Sequence, residues 1–134
     1  MSLQDFEISK IKIHWIKTSD KDFKTMMNLF KSKEYYWSLF VGHLVIEKLL
    51  KAFYVKNKKQ QAPFTHNLLR LSELSDLGPN QEQSDWLDSI TTFNINTRYD
   101  SYKNEFYKKC NKKFTEEWIE KIKELRKWIK NRLS

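Results

Sequence analysis

The sequence predicts an all-α fold, an antiparallel up-and-down bundle of four to five helices that residues 1–134 form as one domain. Glycine and proline together supply only four of the 134 residues, whereas average usage would give roughly 12%. Sandwiches and barrels need many turns built from these residues, so the count argues strongly against an all-β fold. Hydrophobic residues make up 40% of the chain and aromatic residues 15%, enough for a packed core.

Two long helices are predicted in the first half of the chain. Apolar residues recur at helical spacing from Asp5 to Lys31, although Thr18–Asp20 could cap a separate helix and split this element. A second helix, from Glu34 to Asn57, is apolar around almost its whole circumference. A helix of that kind must be covered on all sides. In so small a domain, this predicts that the helix around residues 34–57 also forms a homodimer interface.

The second half of the chain predicts shorter elements. Thr65 is expected to cap a third helix, and Gly78–Pro79 is expected to end it with glycine at the C′ position. A fourth helix is predicted over Gln81–Asn94, followed by an irregular or only partly helical stretch, Asn94–Lys113. Thr115 is expected to cap a last helix that continues almost to the C-terminus.

The charge balance favours anionic partners. Lys and Arg number 25 against 17 Asp and Glu, a net charge of +8. Eleven of the basic residues and five Glu lie between Lys103 and Arg132, so +6 of the charge is concentrated there. Nucleic acid, a nucleotide or an acidic protein would fit this excess. The alternative is a solvated helix face that keeps the domain soluble. Gly42 and Gly78 are too far apart for a glycine-rich nucleotide loop.

Cysteine and histidine usage argues against redox or metal chemistry. The single cysteine, Cys110, cannot form an internal disulfide, which suits a reducing cytoplasm, and it has no histidine nearby to activate it. The three histidines show no ligand-pair spacing, so we expect no metal and no cofactor. The longest mostly apolar run, residues 39–46, is far shorter than the roughly 20 residues of a membrane span. Together these features predict a cytoplasmic protein with no signal peptide and no membrane segment.

Polar residues lie on the otherwise apolar second helix. His43, Glu47 and Lys51 are four residues apart and share one stripe. A buried carboxylate needs a cation, which Lys51 or Arg98 could supply to Glu47. The stripe is either a structural pair that fixes helix register or one wall of a polar cleft. His66 likewise either packs and caps near the third helix or belongs to a site.

A second concentration of chemistry follows the fourth helix. Arg98 can hold a phosphate or carboxylate through two hydrogen bonds, and Tyr99 and Tyr102 can stack on a base. Asp100 and Lys103 complete this segment. An arginine just after a helix can equally be an intramolecular tie.

Three segments of the chain resemble motifs of the HEPN domain family. Glu47–Ala52 resembles the "EKxLKA" segment of the family's central apolar helix, and Pro63–Leu68 resembles its "P-x-T-H-D/N-L" motif. Arg98–Asp100 resembles its "RYP" or "RYD" segment after the fourth helix. The resemblance covers about Trp15 to Leu133, with the motifs in the family's order.

The resemblance implies a dimeric helical bundle involved with nucleotides or RNA. Many HEPN domains are metal-independent ribonucleases that carry R-x4–6-H, and others accompany a minimal nucleotidyltransferase, often as a toxin–antitoxin pair. Arg98 matches the family's arginine, but no histidine lies between Tyr99 and Glu105. The group that would carry the proton in RNA cleavage is therefore missing from its usual place.

These observations lead to three hypotheses. The first is a non-catalytic, degenerate HEPN-like module that binds a nucleotide, RNA or a nucleotidyltransferase partner, with Glu47 orienting Arg98. The second is a ribonuclease in which His43 or His66 carries the proton, so enzymatic activity stays open. The third is a purely structural module whose basic surface meets an acidic protein. The predicted site residues are Arg98, Tyr99, Asp100, Tyr102, Lys103, Glu47, His43, Lys51 and His66.

Overall fold

The computed structural model describes residues 3–134, and these form six α-helices and no strand. In chain order the helices are α1 (Asp5–Lys31), α2 (Tyr35–Lys58), α3 (Leu68–Leu74), α4 (Gln81–Arg98), α5 (Asp100–Lys109) and α6 (Lys112–Leu133). The all-α bundle is confirmed, with α5 added to the four or five helices expected. None of the helices within residues 3–134 combines the length and apolarity needed to cross a membrane.

Helix α1 runs without a break through Thr18–Asp20. The Thr18 hydroxyl donates to the carbonyl oxygen of His14 at 3.0 Å, so it bonds within the same helix and does not cap a new one. The two bounds, Asp5 and Lys31, are those that the sequence predicted.

Helix α2 lies at the centre of the bundle. It packs most extensively against α1, then against α6, α4 and α3. Two buried hydroxyls fix it to α1, since Ser19 donates to the carbonyl of Val45 and Ser38 donates to that of Met26, both at 2.8 Å. Thirteen of its 24 residues are buried within this one chain. The apolar circumference of α2 is therefore explained by its own neighbours, and a homodimer interface there stays a prediction.

Helix α3 begins two residues later than the sequence predicted. Its N-cap is Asn67, whose side chain accepts from the backbone N–H of Arg70 at 3.0 Å. The Thr65 hydroxyl accepts from the backbone N–H of Asn67 at 3.1 Å, so it supports the cap but is not the cap. The prediction of Thr65 as N-cap was wrong because two residues with capping side chains lie within one turn.

Helix α3 also ends earlier than predicted. Asp76 takes the left-handed C′ conformation with φ of 60°, and the backbone N–H of Leu77 returns to the carbonyl of Ser72 at 3.1 Å. Gly78 has φ of 72° but lies two residues beyond that C′ position. The assignment of Gly78 as C′ was therefore wrong, since an aspartate accepted the left-handed conformation first.

The stretch from Asn94 to Lys113 is more regular than predicted. Helix α4 continues to Arg98, one extended residue, Tyr99, follows, and α5 then begins at Asp100. Phe106 of α5 is 4% exposed and its ring stacks on that of Phe93 in α4, with centroids 5.4 Å apart. Phe106 is the buried residue that holds α5 on the bundle. The sequence of this segment has no apolar periodicity from which α5 could have been predicted.

Helix α6 is capped by Asn111, whose side chain accepts from the backbone N–H of Phe114 at 2.9 Å. Thr115 lies inside the helix and donates to the carbonyl of Asn111 at 2.7 Å, so its prediction as N-cap was wrong. Asp20 of α1 accepts from Lys130 at 2.6 Å and from Arg126 at 3.1 Å, which joins α1 to α6. Burial alone would raise the Asp20 pKa, but these two cations lower it below its usual value.

Candidate functional site

One face of α2 carries aromatic rings toward its N-terminal end. The rings of Tyr36 and Trp37 have centroids 4.8 Å apart, and Phe40 meets Trp37 edge-on at 6.0 Å. Tyr36 is buried and Trp37 is 37% exposed. The chain thus places an aromatic strip, Tyr36–Phe40, where the end of α4 and the start of α5 pass over α2.

Side chains from α4 and α5 lie on this aromatic strip. The Arg98 guanidinium carbon is 6.0 Å from the Phe40 ring centroid, and Lys103 Nζ is 5.7 Å from the Trp37 ring. The Tyr107 ring meets Tyr36 edge-on at 5.5 Å. Cations over aromatic faces are attracted by the ring quadrupole, so the strip orients two positive charges without neutralising them.

A depression of about 390 Å³ opens beside the strip. Its lining residues are Tyr36, Asp100, Lys103, Asn104 and Tyr107. Its size lies at the lower end of the range for small-molecule sites. Tyr99 and Tyr102, 58% and 55% exposed, lie on the same α4–α5 segment and are open to solvent.

Arg98 does not bind Glu47. It is exposed, and its Nε donates to the side-chain oxygen of Asn94, one turn earlier on α4. Both Glu47 oxygens are taken by other partners. The prediction that Glu47 orients Arg98 is therefore not met in this conformation, because continuing α4 through residue 98 brings Asn94 within reach of the guanidinium.

A polar cluster further along α2 is centred on Glu47, which is 4% exposed. Its Oε1 accepts from His66 Nδ1 at 2.8 Å, and its Oε2 accepts from Lys51 Nζ at 3.2 Å. His43 Nε2 lies 3.7 Å from Oε1. The sequence predicted the stripe of His43, Glu47 and Lys51, and the fold adds His66 from the α2–α3 connection. The carboxylate thus gains the partners that its burial requires.

The two histidines of this cluster have different access to solvent. His43 is fully buried, its Nε2 lies 3.1 Å from the carbonyl of His66, and its Nδ1 has no hydrogen-bond partner among the described residues. Burial lowers the His43 pKa, and the charges of His66 and Arg98 lower it further, against the raising effects of the His66 carbonyl and Glu47. The side chain of His66 is 36% exposed. Of the two histidine rings, that of His66 is therefore the one that can reach a ligand.

The predicted site residues thus form two groups along α2. Arg98, Asp100 and Lys103 lie at the aromatic strip, whereas His43, Glu47, Lys51 and His66 form the polar cluster. His43, in the polar cluster, is close enough to Arg98 at the strip for its pKa to respond to the charge of Arg98 as well as to that of His66. The sequence analysis did not single out Tyr36 or Asn104. Spacing could have indicated Tyr36, which is one turn before Phe40 on α2.

The part of the chain that the structure describes offers little for metal or thiol chemistry. Within residues 3–134, no group of three His, Cys, Asp or Glu side chains is arranged to hold a metal ion. Cys110 is 5% exposed, and burial raises the pKa of its thiol to about 12. Its sulfur is therefore protonated and unreactive at neutral pH.

The sequence matches the family model of the HEPN domain over residues 13–132. The chain belongs to the HEPN domain family. Comparison of the sequence with curated proteins gave no match.

The fold is also similar to that of a solved structure, TT1696 from Thermus thermophilus. The TM-score is 0.76 at 14% sequence identity, and the match covers 90% of this chain and 96% of the other. At that identity the likeness concerns the arrangement of helices and not the chemistry of the site.

Proposed function

We propose that this HEPN domain is a binding module for nucleotides or RNA, with its phosphate contact at Arg98. The observation that carries the proposal is the position of Arg98. Its side chain is exposed at the α4–α5 junction, over the Phe40 ring. Asp100, two residues later in the sequence, and Lys103 line the depression. Its guanidinium nitrogens other than Nε are available for a phosphate, because Asn94 accepts only from Nε.

The surroundings of Arg98 suit a nucleotide better than a bare anion. Tyr107 is 62% exposed and borders the depression, so its ring can lie against a base. Lys103 adds a second positive charge at the same place. Asn104 offers an amide that can hydrogen-bond to a base or sugar. Phosphate, base and sugar would each find a partner of suitable chemistry.

Nucleotide titrations of Arg98 variants test this proposal. Binding of AMP and UMP is measured calorimetrically for the parent, Arg98→Ala and Arg98→Lys, with Arg70→Ala as a matched control on the exposed side of α3. Losing a charge-assisted contact should weaken binding about tenfold or more. Arg98→Lys should bind more tightly than Arg98→Ala but more weakly than the parent, since lysine cannot make the paired contact with a phosphate. Equal affinities for all four proteins would contradict the assignment of Arg98.

The family resemblance further predicts a homodimer and a minimal nucleotidyltransferase partner, as in toxin–antitoxin pairs. Within residues 34–57, Trp37 is the large apolar side chain that remains most exposed, at 37%. If the dimer forms there, Trp37→Glu should convert it to a monomer in sedimentation equilibrium. A parent protein that is monomeric at micromolar concentration would contradict the homodimer.

A second candidate function, metal-independent RNA cleavage, is favoured by the Glu47–His66 contact. A carboxylate that accepts from Nδ1 fixes the orientation of the ring and leaves Nε2 free. In such a reaction His66 Nε2 would take the proton of the 2′-hydroxyl as that oxygen forms a bond to phosphorus. The bond from phosphorus to the 5′-oxygen would break, and the leaving oxygen would take a proton from water. The products would be a 2′,3′-cyclic phosphate and a 5′-hydroxyl.

Burial separates the two histidines that the sequence offered for this role. His43 is fully buried and cannot touch RNA, whereas His66 is partly exposed. The parent is incubated with RNA and EDTA beside His66→Gln and Arg98→Ala, and the products are analysed for cyclic phosphate ends. Cleavage lost in both variants would support this function. Cleavage that survives in both variants would point to a contaminating nuclease.

A further inference from the structure

Two more depressions continue from the one beside Lys103. The second, of about 350 Å³, shares Tyr36 and Tyr107 with the first and reaches Lys33. The third, also of about 350 Å³, shares Lys33 and Tyr35 with the second and ends at Lys112. Neighbouring depressions share lining residues and therefore lie next to one another, and the row of three is called here the tyrosine groove.

Aromatic and cationic side chains are both present along the tyrosine groove. Lys103 lies in the first depression, Tyr107 and Tyr36 between the first and second, and Tyr35 and Lys33 between the second and third. The third adds Lys31 and Lys112. A positively charged groove that also carries aromatic stacking surfaces is the arrangement with which proteins hold a single strand of nucleic acid.

The lysines of the tyrosine groove keep their charge available. Within residues 3–134, Lys31, Lys33 and Lys103 have no carboxylate within 4 Å, and Lys112 reaches Glu116 only at 4.0 Å. Four lysines line the groove against two carboxylates, those of Asp100 and Glu34. The groove therefore stays net positive, and its charge is distributed along its length.

We propose that the tyrosine groove binds a single-stranded oligonucleotide of several nucleotides, one base per depression. The proposal rests on the proposed function, because it places the first nucleotide in the depression beside Arg98. It extends that function from a single nucleotide to a strand that continues past Tyr107 and Tyr35 to Lys112. An acidic peptide would use the lysines but would leave the accessible rings of Tyr35 and Tyr107 without a stacking partner, so a nucleic acid strand fits the groove better.

The test is the dependence of affinity on length. Fluorescence anisotropy competition is measured with UMP and with oligo(U) of two, four and six nucleotides, and with oligo(dT) to separate RNA from DNA. We expect affinity to rise about tenfold with each of the first added nucleotides, as each reaches a further stacking surface. Beyond three nucleotides, one for each depression, the affinity should reach a plateau, so the tetranucleotide and the hexanucleotide should bind equally well, since the groove ends at Lys112.

A double variant at the far end, Lys33→Ala with Lys112→Ala, locates the strand. It should weaken hexanucleotide binding about tenfold and make the salt dependence of log K shallower by roughly 0.7 for each lost phosphate contact. UMP binding should not change. Lys103→Ala should weaken both ligands. The matched control is Lys127→Ala, an exposed lysine on α6 roughly 22 Å of helix away from Lys112.

Four results would overturn the proposal, and only the last of them also refutes the proposed function. UMP binding that needs Arg98 but does not strengthen with length refutes the groove and leaves the proposed function intact. If the double variant at Lys33 and Lys112 weakens hexanucleotide binding no more than Lys127→Ala does, the attraction depends on overall charge, and the groove is refuted. Binding of an oligo-glutamate peptide, but not the hexanucleotide, through Lys33 and Lys112 also refutes it. No binding of UMP or any oligonucleotide refutes both proposals together.

Discussion

Gly42 lies where α2 packs tightly against Ile122 of α6, and substituting it tests how tightly the central helix is held. A Cβ at this position would be 2.6 Å from Ile122 Cδ1 and 3.1 Å from Met26 Sδ. Ordinary contacts between carbon atoms are about 3.5–4.0 Å, so the added methyl is roughly 1 Å too close to Ile122. Both neighbours are 0% exposed, so neither can move into solvent.

Two opposing effects set the magnitude for Gly42→Ala. Alanine favours the helix over glycine by about 1 kcal/mol, and overpacking a closed core costs about 1–3 kcal/mol. We expect the free energy of unfolding to fall by up to about 2 kcal/mol. Ile122→Val removes the clashing Cδ1, so in that background Gly42→Ala should raise the free energy of unfolding by up to about 1 kcal/mol.

Urea unfolding of the parent, both single variants and the double variant measures this coupling at one protein concentration. The concentration is fixed because self-association would change the apparent stability. A coupling energy below about 0.3 kcal/mol would refute the reasoning. It would mean that α2 and α6 separate to accept the methyl, and that the short approach at Gly42 does not fix the position of α2.

Two further predictions follow from perturbed pKa values. Because the pKa of His43 is lowered in the folded state, its contribution to stability is complete above about 6.5 and is lost as pH falls through the folded-state pKa. Between pH 8 and pH 5, the unfolding free energy of the parent should therefore fall more than that of His43→Gln. The control His14→Gln, at an exposed site, should behave as the parent does. Equal slopes for all three proteins would contradict the lowered pKa of His43. Cys110, with a pKa of about 12, should not react with a thiol reagent at pH 8 in the native state and should react fully in urea, whereas rapid native reaction would contradict its burial.

The long helices were predictable because their signals are redundant. In α1 and α2, many apolar residues repeat the same period and polar residues mark both ends. An N-cap depends on one side chain, and at the starts of α3 and α6 the sequence has two residues that could each be the N-cap. Thr65 competes with Asn67, and Thr115 competes with Asn111. Only the packed chain decides which residue becomes extended.

The candidate site was predictable where it lies on a single helix. The spacing of Glu47 and Lys51 made Lys51 one of the two cations predicted for Glu47, and the structure has this contact at 3.2 Å. The contact of His66 with Glu47 was not predictable, because it depends on the path of the α2–α3 connection. The Asn94 partner of Arg98 has helical spacing, but the prediction ended α4 at Asn94 and so hid that contact. The error in a helix boundary thus became an error in the site.

The polar cluster on α2 limits how a ligand can use His66. Removing one partner from a buried carboxylate costs as much as about 3–5 kcal/mol, and a ligand of millimolar affinity gains only about 4 kcal/mol. Drawing His66 away from Glu47 would therefore consume most or all of the binding free energy of a weakly bound nucleotide. Lys103 and Tyr107 have no such constraint, since both lie on α5, whose buried residue is Phe106. Rearrangement on binding should thus be confined to Lys103 and Tyr107 on α5, while α2, with Tyr35 and Tyr36 of the tyrosine groove, and the His66 ring keep their positions.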